Sequence, residues 1–483
     1  MNNINSLKPE KVFRFFNEIS QIPHGSGNTA QIAEYCLDFA AERNLKAVMD
    51  EGDNVIIYAD GTQGYENSEP VIIQGHMDMV CEKTPQCTKD MAVDGLSLST
   101  DGEWLWAEGT TLGGDDGIAL AYIFALLDSD DIPHPPIEAV ITRDEETGMF
   151  GAELFNASLV KAKKIINIDM EEEGTLTVSC AGGITAHNTV PLTAPTDKCE
   201  FSYEISVDGL LGGHSGVDID KKRHNAFVLV CELLKKIKEN DITFRISDIQ
   251  GGGKFNVIPK NASVIIGTES ECLSQLSEII ASFKADFESK YSADEPNAVF
   301  AVKSVADDFS FYDLDSTDRI IRFITEVPNG VQNFSPNIPD LVETSLNMGA
   351  VSLDNNKLSA HLLIRGNNSE RMHELMKKLE VFTADYNAEC VFDSEYPAWE
   401  YRENSPLRQL AIDTFTELYG KAPIVSAIHA GLECGIFSKK IDNADIISFG
   451  PDIHDIHTPA ERMNIASVER TWNYLKEILR KLK

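Results

Sequence analysis

Three short stretches constrain this chain more than any overall property: "PVIIQGH" ending at His76, "IEAVITRDEE" ending at Glu146, and "KKIINIDM" carrying Asp169. Each is a nearly continuous apolar run that delivers a histidine or carboxylate at its end. Runs of this length without alternation read as strands buried on both faces, the mark of parallel strands covered by helices. The intervening segments supply those helices. "PEKVFRFFNEIS" and "NTAQIAEYCLDFAAERN" follow helical periodicity, with Ile32, Tyr35, Cys36 and Phe39 on one face, and "GIALAYIFALLDS" reads as a buried helix. With a further strand at "NVIIYA", the pattern is an α/β fold around a mostly parallel sheet. In such sheets ligands bind beyond the carboxyl ends of the strands.

The texture changes after His187. Between residues 188 and 390 strands such as "FSYEISVDG", "ASVIIGTE" and "LSAHLLIRG" alternate apolar and polar residues, as sheets with one wet face do. Helices at "NAFVLVCELLKKIKE" and "SERMHELMKKLEVFTADY" separate them, so an α+β domain with an internal duplication is one reading. From residue 391 the first texture returns, with helix "SPLRQLAIDTFTELYG", strands "IVSAIHAG" and "ADIISFG", and a final helix. The expected organisation is one α/β domain, residues 1–187 and 391–483, interrupted by an insertion at 188–390. A chain of 483 residues has length for two or three domains.

Charge excludes several classes of partner. With 77 acidic against 42 basic residues the net charge is -35, and such a surface repels nucleic acid and anionic membranes. The N-terminal stretch has no signal-peptide pattern and no run reaches the roughly 18 apolar residues of a span, so a cytoplasmic protein is expected. The nine cysteines, an odd number without a CxxC pair, fit reduced thiols.

Five segments share one grammar, in which a strand or glycine turn presents histidine or carboxylate on a loop. They are "GHMDMV" (His76, Asp78), "TTLGGDDGIA" (Asp115, Asp116), "TRDEETGMFGA" (Asp144, Glu145, Glu146), "IINIDMEEEG" (Asp169) and "GPDIHDIHTPAERM" (His454, His457). Any one of them also reads as a helix cap or turn. Jointly, several strands of one sheet would align these groups along an edge. Nitrogen and oxygen donors without cysteine suit a catalytic divalent metal such as zinc, cobalt or manganese. A ligating histidine usually donates its second ring nitrogen to a carboxylate, and Asp78 shares a face with His76, so it is the expected partner. Of the adjacent glutamates in "DEET", one can bind metal while the other moves a proton. There is no G-x-S-x-G elbow for a serine nucleophile. His429 and Glu433, four apart, do not have the HExxH spacing.

In order along nearly the whole chain, "GHMDMV", "GTTLGGDDGIA", "TRDEETGM", "NIDMEEEG", "GGHSGVDI", "GGGKFNVIP", "IHAGLECGIF" and "HTPAERM" closely resemble the bacterial aminoacyl-histidine dipeptidases, also called cytosol non-specific dipeptidases. These are part of the carnosinase and aminoacylase family of dinuclear metallopeptidases. The resemblance implies a zinc-exopeptidase-like catalytic domain with an inserted lid, and two divalent ions, zinc foremost with cobalt or manganese as alternatives. His76, Asp115 and Asp169 would hold one ion and Asp115, Glu146 and His457 the other, with Asp115 bridging. Glu145 would be general base and acid, Asp78 would orient His76, and His214 of the lid would stabilise the oxyanion. Asn256, Arg365, Gly431 and Glu433 would contact substrate, the arginine gripping a terminal carboxylate. Asp116 stands where close relatives often have asparagine. The implied reaction is hydrolysis of dipeptides with a free carboxyl end, Xaa-His among them. An N-acyl amino acid deacylase, a tripeptidase and a non-catalytic metal-binding homologue are the alternatives, and pairing of two chains is left open.

Overall fold

The computed structural model describes residues 4–269, 272–306, 308–336, 338 and 340–483. The chain forms two compact units. The first comprises the residues up to Ser179 with Tyr401–Ala427 and Leu432–Lys483, and the second comprises Cys180–Glu400 with Ile428–Gly431.

The first unit is built on an eight-stranded sheet in the order Lys46–Met49, Val55–Ala59, Ile137–Thr142, Val71–His76, Lys164–Asn167, Asp445–Ser448, Thr175–Cys180, Ile424–Ile428. Its four central strands run parallel. The "NVIIYA" strand departs from that pattern: a tight turn with Asp53 at φ 57° folds it back on Lys46–Met49 as a hairpin, and on its other side it pairs antiparallel with Ile137–Thr142. Every residue of Val71–His76 and Ile137–Thr142 is buried, as their unbroken apolar pattern requires.

Register brings the strand ends level. His76 pairs with Thr142 and Gln74 with Asn167, so the residues just beyond these strands leave the sheet along one edge. Helix Gly114–Leu127 packs on Val71–His76 and is buried along nearly its whole length, from Gly117 to Leu126. This contact explains the glycine that precedes His76. A Cβ at Gly75 would come within 2.4 Å of Ala119 Cβ and 2.5 Å of Asp116 Oδ2.

The second unit holds two larger antiparallel sheets. One has the order Arg245–Gly251, Ala262–Thr268, Phe201–Asp208, Val299–Val305, and the other Gly330–Phe334, Val342–Asp354, Lys357–Gly366, Gly182–Pro191, Glu389–Tyr396. Helices Ala226–Glu239, Leu273–Tyr291, Leu314–Glu326 and Ser369–Ala384 contribute to its own hydrophobic core. A short ladder, Gly213–His214 against Val257–Ile258, closes the loop region around His214. Among the described residues, no helix is long and apolar enough to cross a membrane.

Candidate active site

The first unit gathers imidazoles and carboxylates at the strand ends. His76 Nε2 lies 3.0 Å from Asp115 Oδ1 and 3.7 Å from Asp169 Oδ1. Its Nδ1 donates to the Asp78 carbonyl oxygen at 3.0 Å, with Asp78 Oδ1 at 3.4 Å, so Nε2 is the nitrogen that faces Asp115 and Asp169. The expected link between Asp78 and His76 therefore runs mainly through the backbone oxygen. The Asp78 carboxylate has other partners: Ser26 Oγ donates at 2.7 Å, the Glu145 N–H at 3.0 Å and the Glu146 N–H at 3.3 Å.

Asp115 follows a glycine turn in which Gly113 takes a left-handed φ of 65°, and its own dihedrals (φ -86°, ψ 105°) are extended within the first turn of the helix. Its Oδ1 faces His76, while Oδ2 lies 3.1 Å from Nε2 of His457, which in turn is 2.8 Å from Glu146 Oε1. Asp115 thus stands between the two imidazoles. Among the described residues, three ligand combinations fall within 4.8 Å: Asp115, Glu146 and His457; His76, Glu145 and Glu146; and His76, Asp116 and Asp169. Asp116 is fully buried and its Oδ2 accepts the His76 backbone N–H at 3.1 Å, so one of its oxygens serves the strand end. His454 stands apart, its ring 4.9 Å from that of Trp104.

The electrostatics fit divalent cations. Asp115, Asp116, Glu145, Glu146 and Asp169 crowd together, and among the described residues none is ion-paired with lysine or arginine. Burial raises the carboxyl groups of Glu145, Glu146 and Asp116 above their usual range, with neighbouring carboxylates adding to it, and lifts Asp169 to about 6. Hydrogen bonds that His457 donates to Asp115 and Glu146 push it to about 11 against the opposing effect of burial. Burial also opposes charge on His76, yet Asp115, Asp169 and Asp78 together hold it above its ordinary value. In effect, protons on imidazole and carboxyl groups neutralise this cluster, a task that two divalent ions at His76, Asp115, Asp169, Glu146 and His457 suit by donor chemistry.

Glu433 opens helix Glu433–Lys440 and is completely buried. Its Oε2 accepts from Gln74 Nε2 at 2.6 Å and Thr142 Oγ1 at 2.7 Å, so these bonds tie it to the strands that lead to His76 and Glu145. Burial raises its carboxyl to about 7. Asn167 Nδ2 donates to Gln74 Oε1 at 2.6 Å and extends the same polar ladder across the sheet. Sequence reasoning passed over Ser26, Gln74, Asn167 and Glu461; for Glu461 the signal was its place in "HTPAERM", four residues after His457.

The second unit holds a cluster of its own. Arg365, only 4% exposed, donates Nη1 to Tyr396 Oη at 2.5 Å, and its Nη2 lies 3.2 Å from His214 Nε2. Gly183, opposite Arg365 on the neighbouring strand, must lack a side chain, since a Cβ would reach within 2.5 Å of Tyr396. Asn256 presents its carbonyl oxygen to the Ser215 N–H at 3.0 Å, which steadies the residue after His214. His429 is buried, its Nδ1 2.8 Å from Asn367 Oδ1 and its Nε2 2.8 Å from Ser345 Oγ. Burial, with Arg365 adding, lowers His214 to about 4 and His429 to about 3, so both are neutral near pH 7. Gly431 sits half-buried in the turn before helix Glu433–Lys440. A buried arginine whose hydrogen bonds go to neutral groups is suited to receive an anion.

Comparison with known proteins adds an independent line. Residues 72–481 match the family described as Peptidase family M20/M25/M40. The chain is 34% identical over 483 residues to the cytosol non-specific dipeptidase of Escherichia coli (strain K12), covering 100% of this chain and 99% of that protein. It superposes with a TM-score of 0.88 on the crystal structure of aminoacylhistidine dipeptidase from Vibrio alginolyticus, at 34% identity, covering 99% and 98% of the two chains. The aminopeptidase PepT structure from Bacillus cereus shares the fold at 15% identity and a TM-score of 0.58, covering 99% of each chain.

Proposed function

The chain belongs to peptidase family M20/M25/M40, and from that premise we infer that it is a metal-dependent dipeptidase. The observation that carries the reading is Asp115 between His76 and His457, with Glu146 and Asp169 alongside and Glu145 next to them in sequence. Bound at these residues, two divalent ions supply Lewis acidity that lowers the pKa of a water and polarises the scissile carbonyl. Zinc is the first choice for this nitrogen and oxygen donor set, with cobalt and manganese next.

Glu145 takes the proton from the attacking water and later gives it to the departing amine. Burial, with the carboxylates of Asp169, Glu146 and Glu433 adding, raises its carboxyl above the usual range, the direction that makes a carboxylate a stronger base. Asp78 fixes the loop that carries Glu145 and the ring of His76. His214, neutral near pH 7, is the residue we assign to the oxyanion, and Arg365 the one we assign to the free terminal carboxylate that limits substrates to very short peptides. Asn256, Gly431 and Glu433 shape the substrate subsites, Glu433 through the buried ladder described above. Xaa-His dipeptides are among the substrates, and the protein works in the cytoplasm, as the name of its Escherichia coli relative has it for that protein.

The test is an assay of a dipeptide panel before and after exhaustive chelation. Hydrolysis should disappear on chelation and return with zinc, cobalt or manganese, and should be slower on tripeptides and N-acetyl amino acids. Full turnover by metal-depleted protein would end the reading.

A further inference from the structure

Glu461 is 2% exposed and lies four residues after His457. Its carboxylate accepts three backbone N–H groups from a segment far away in sequence: Leu112 at 2.8 Å and Gly113 at 3.2 Å on Oε2, and Gly114 at 2.8 Å on Oε1. These are the residues of the turn that delivers Asp115. On its own side Glu461 is anchored as well. Its N–H donates to Thr458 O at 3.1 Å, next to His457, and the following strand, Arg462–Asn464, pairs with Trp104–Ala107.

We propose that Glu461 is a positioning residue for the metal centre, holding the Asp115 turn and the His457 loop in register with each other. The inference rests on the reading of Asp115 and His457 as ligands. Three charge-assisted hydrogen bonds from consecutive backbone N–H groups locate a turn more firmly than one cap does. The turn also has little room to settle elsewhere: Gly113 is left-handed and closed in by the Met79 sulfur, which a Cβ there would meet at 2.8 Å. If the carboxylate is lost, the turn and the loop move independently. Two of the three ligands of the Asp115, Glu146 and His457 site then lose their common reference, whereas the site that shares Asp115 with His76 and Asp169 has only that one ligand displaced.

Glutamine at this position keeps the size but offers one acceptor oxygen and turns an NH2 toward backbone donors. The experiment titrates metal-depleted full-length protein with Zn2+ in competition with a chromophoric chelator. Wild type should take up two ions, and Glu461→Gln should bind both more weakly, the more weakly held one by at least tenfold. Ser405→Ala is the comparison for loss of buried hydrogen bonds away from the cluster, since Ser405 Oγ accepts the Arg408 N–H at 3.0 Å at the start of helix Pro406–Tyr419 and donates to the Asp445 carboxylate. It should lower the melting temperature and leave both zinc affinities unchanged. If Glu461→Gln does not fold, Glu461→Asp, which withdraws the charge by one methylene, is titrated in the same way. Wild-type affinity for both ions in the folded variant overturns the inference. Failure of wild type to bind two ions overturns the ligand reading, and this inference with it.

Discussion

Asp78 joins the backbone of Glu145 to the ring of His76. Its Oδ1 takes the Glu145 N–H at 3.0 Å while its carbonyl oxygen takes His76 Nδ1 at 3.0 Å. One residue therefore sets both the histidine that opens the cluster and the loop that carries two glutamates.

Replacing Asp78 by alanine removes three hydrogen bonds to a charged group, each worth about 1.5 to 3 kcal/mol where fully formed. Turnover of a dipeptide should fall by roughly ten- to a hundredfold, given that misplacement of about 1 Å costs on that order. Steady-state kinetics with metal analysis checks this. Asp78→Asn, which retains one acceptor oxygen, should lie between wild type and alanine.

The adjacent glutamates should separate chemistry from binding. Glu145→Gln is expected to lower kcat by roughly two to four orders of magnitude with metal content nearly intact. Glu146→Ala should lose metal as well, because its Oε1 faces His457 at 2.8 Å. Metal analysis giving the opposite pattern would mean that the roles are exchanged.

Arg365 gives a prediction about substrates. Amidating the carboxyl end of a dipeptide removes a charge-assisted contact worth roughly 1.5 to 3 kcal/mol and should reduce kcat/KM about ten- to a hundredfold in wild type. In Arg365→Ala the same change should matter little, the partner being already absent. Equal losses in both enzymes would remove Arg365 from this role.

Acid should weaken the second unit. His214 and His429 have folded pKa values of about 4 and about 3, below the ordinary 6.5, so from pH 6.5 downward the unfolded chain binds protons that the folded one does not. Their contribution is fully present above pH 6.5 and is lost as the pH falls toward those folded values, at up to roughly 1.4 kcal/mol per pH unit for each histidine. Urea unfolding of the metal-depleted protein between pH 7 and 4 measures the slope. His429→Gln should reduce the acid sensitivity by up to roughly 1.4 kcal/mol per pH unit; an unchanged slope would mean that other groups carry it.

Much of the architecture was legible in the chain because burial leaves a direct trace. The strands at Val71–His76 and Ile137–Thr142 are unbroken apolar runs since both their faces are covered, and the parallel sheet follows from that pattern. The strand ends at His76, Glu146 and Asp169 were legible for the same reason, as polar residues that interrupt such runs stand out. Hairpin pairing of Val55–Ala59 was not, since an antiparallel strand inside a sheet can carry the same apolar residues as a parallel one.

What the amino-acid sequence determined by itself was the periodicity of burial and the identity of the chemical groups at the ends of buried segments. Tertiary structure alone decided which oxygen meets which nitrogen: Asp115 Oδ1 at His76, Asp115 Oδ2 at His457, and the Glu461 carboxylate on the turn before Asp115. The reason is physical. Periodicity is a local property of the backbone, whereas a hydrogen bond from Gly114 to Glu461 exists only once packing has brought distant segments within 3 Å, and no local pattern encodes that distance.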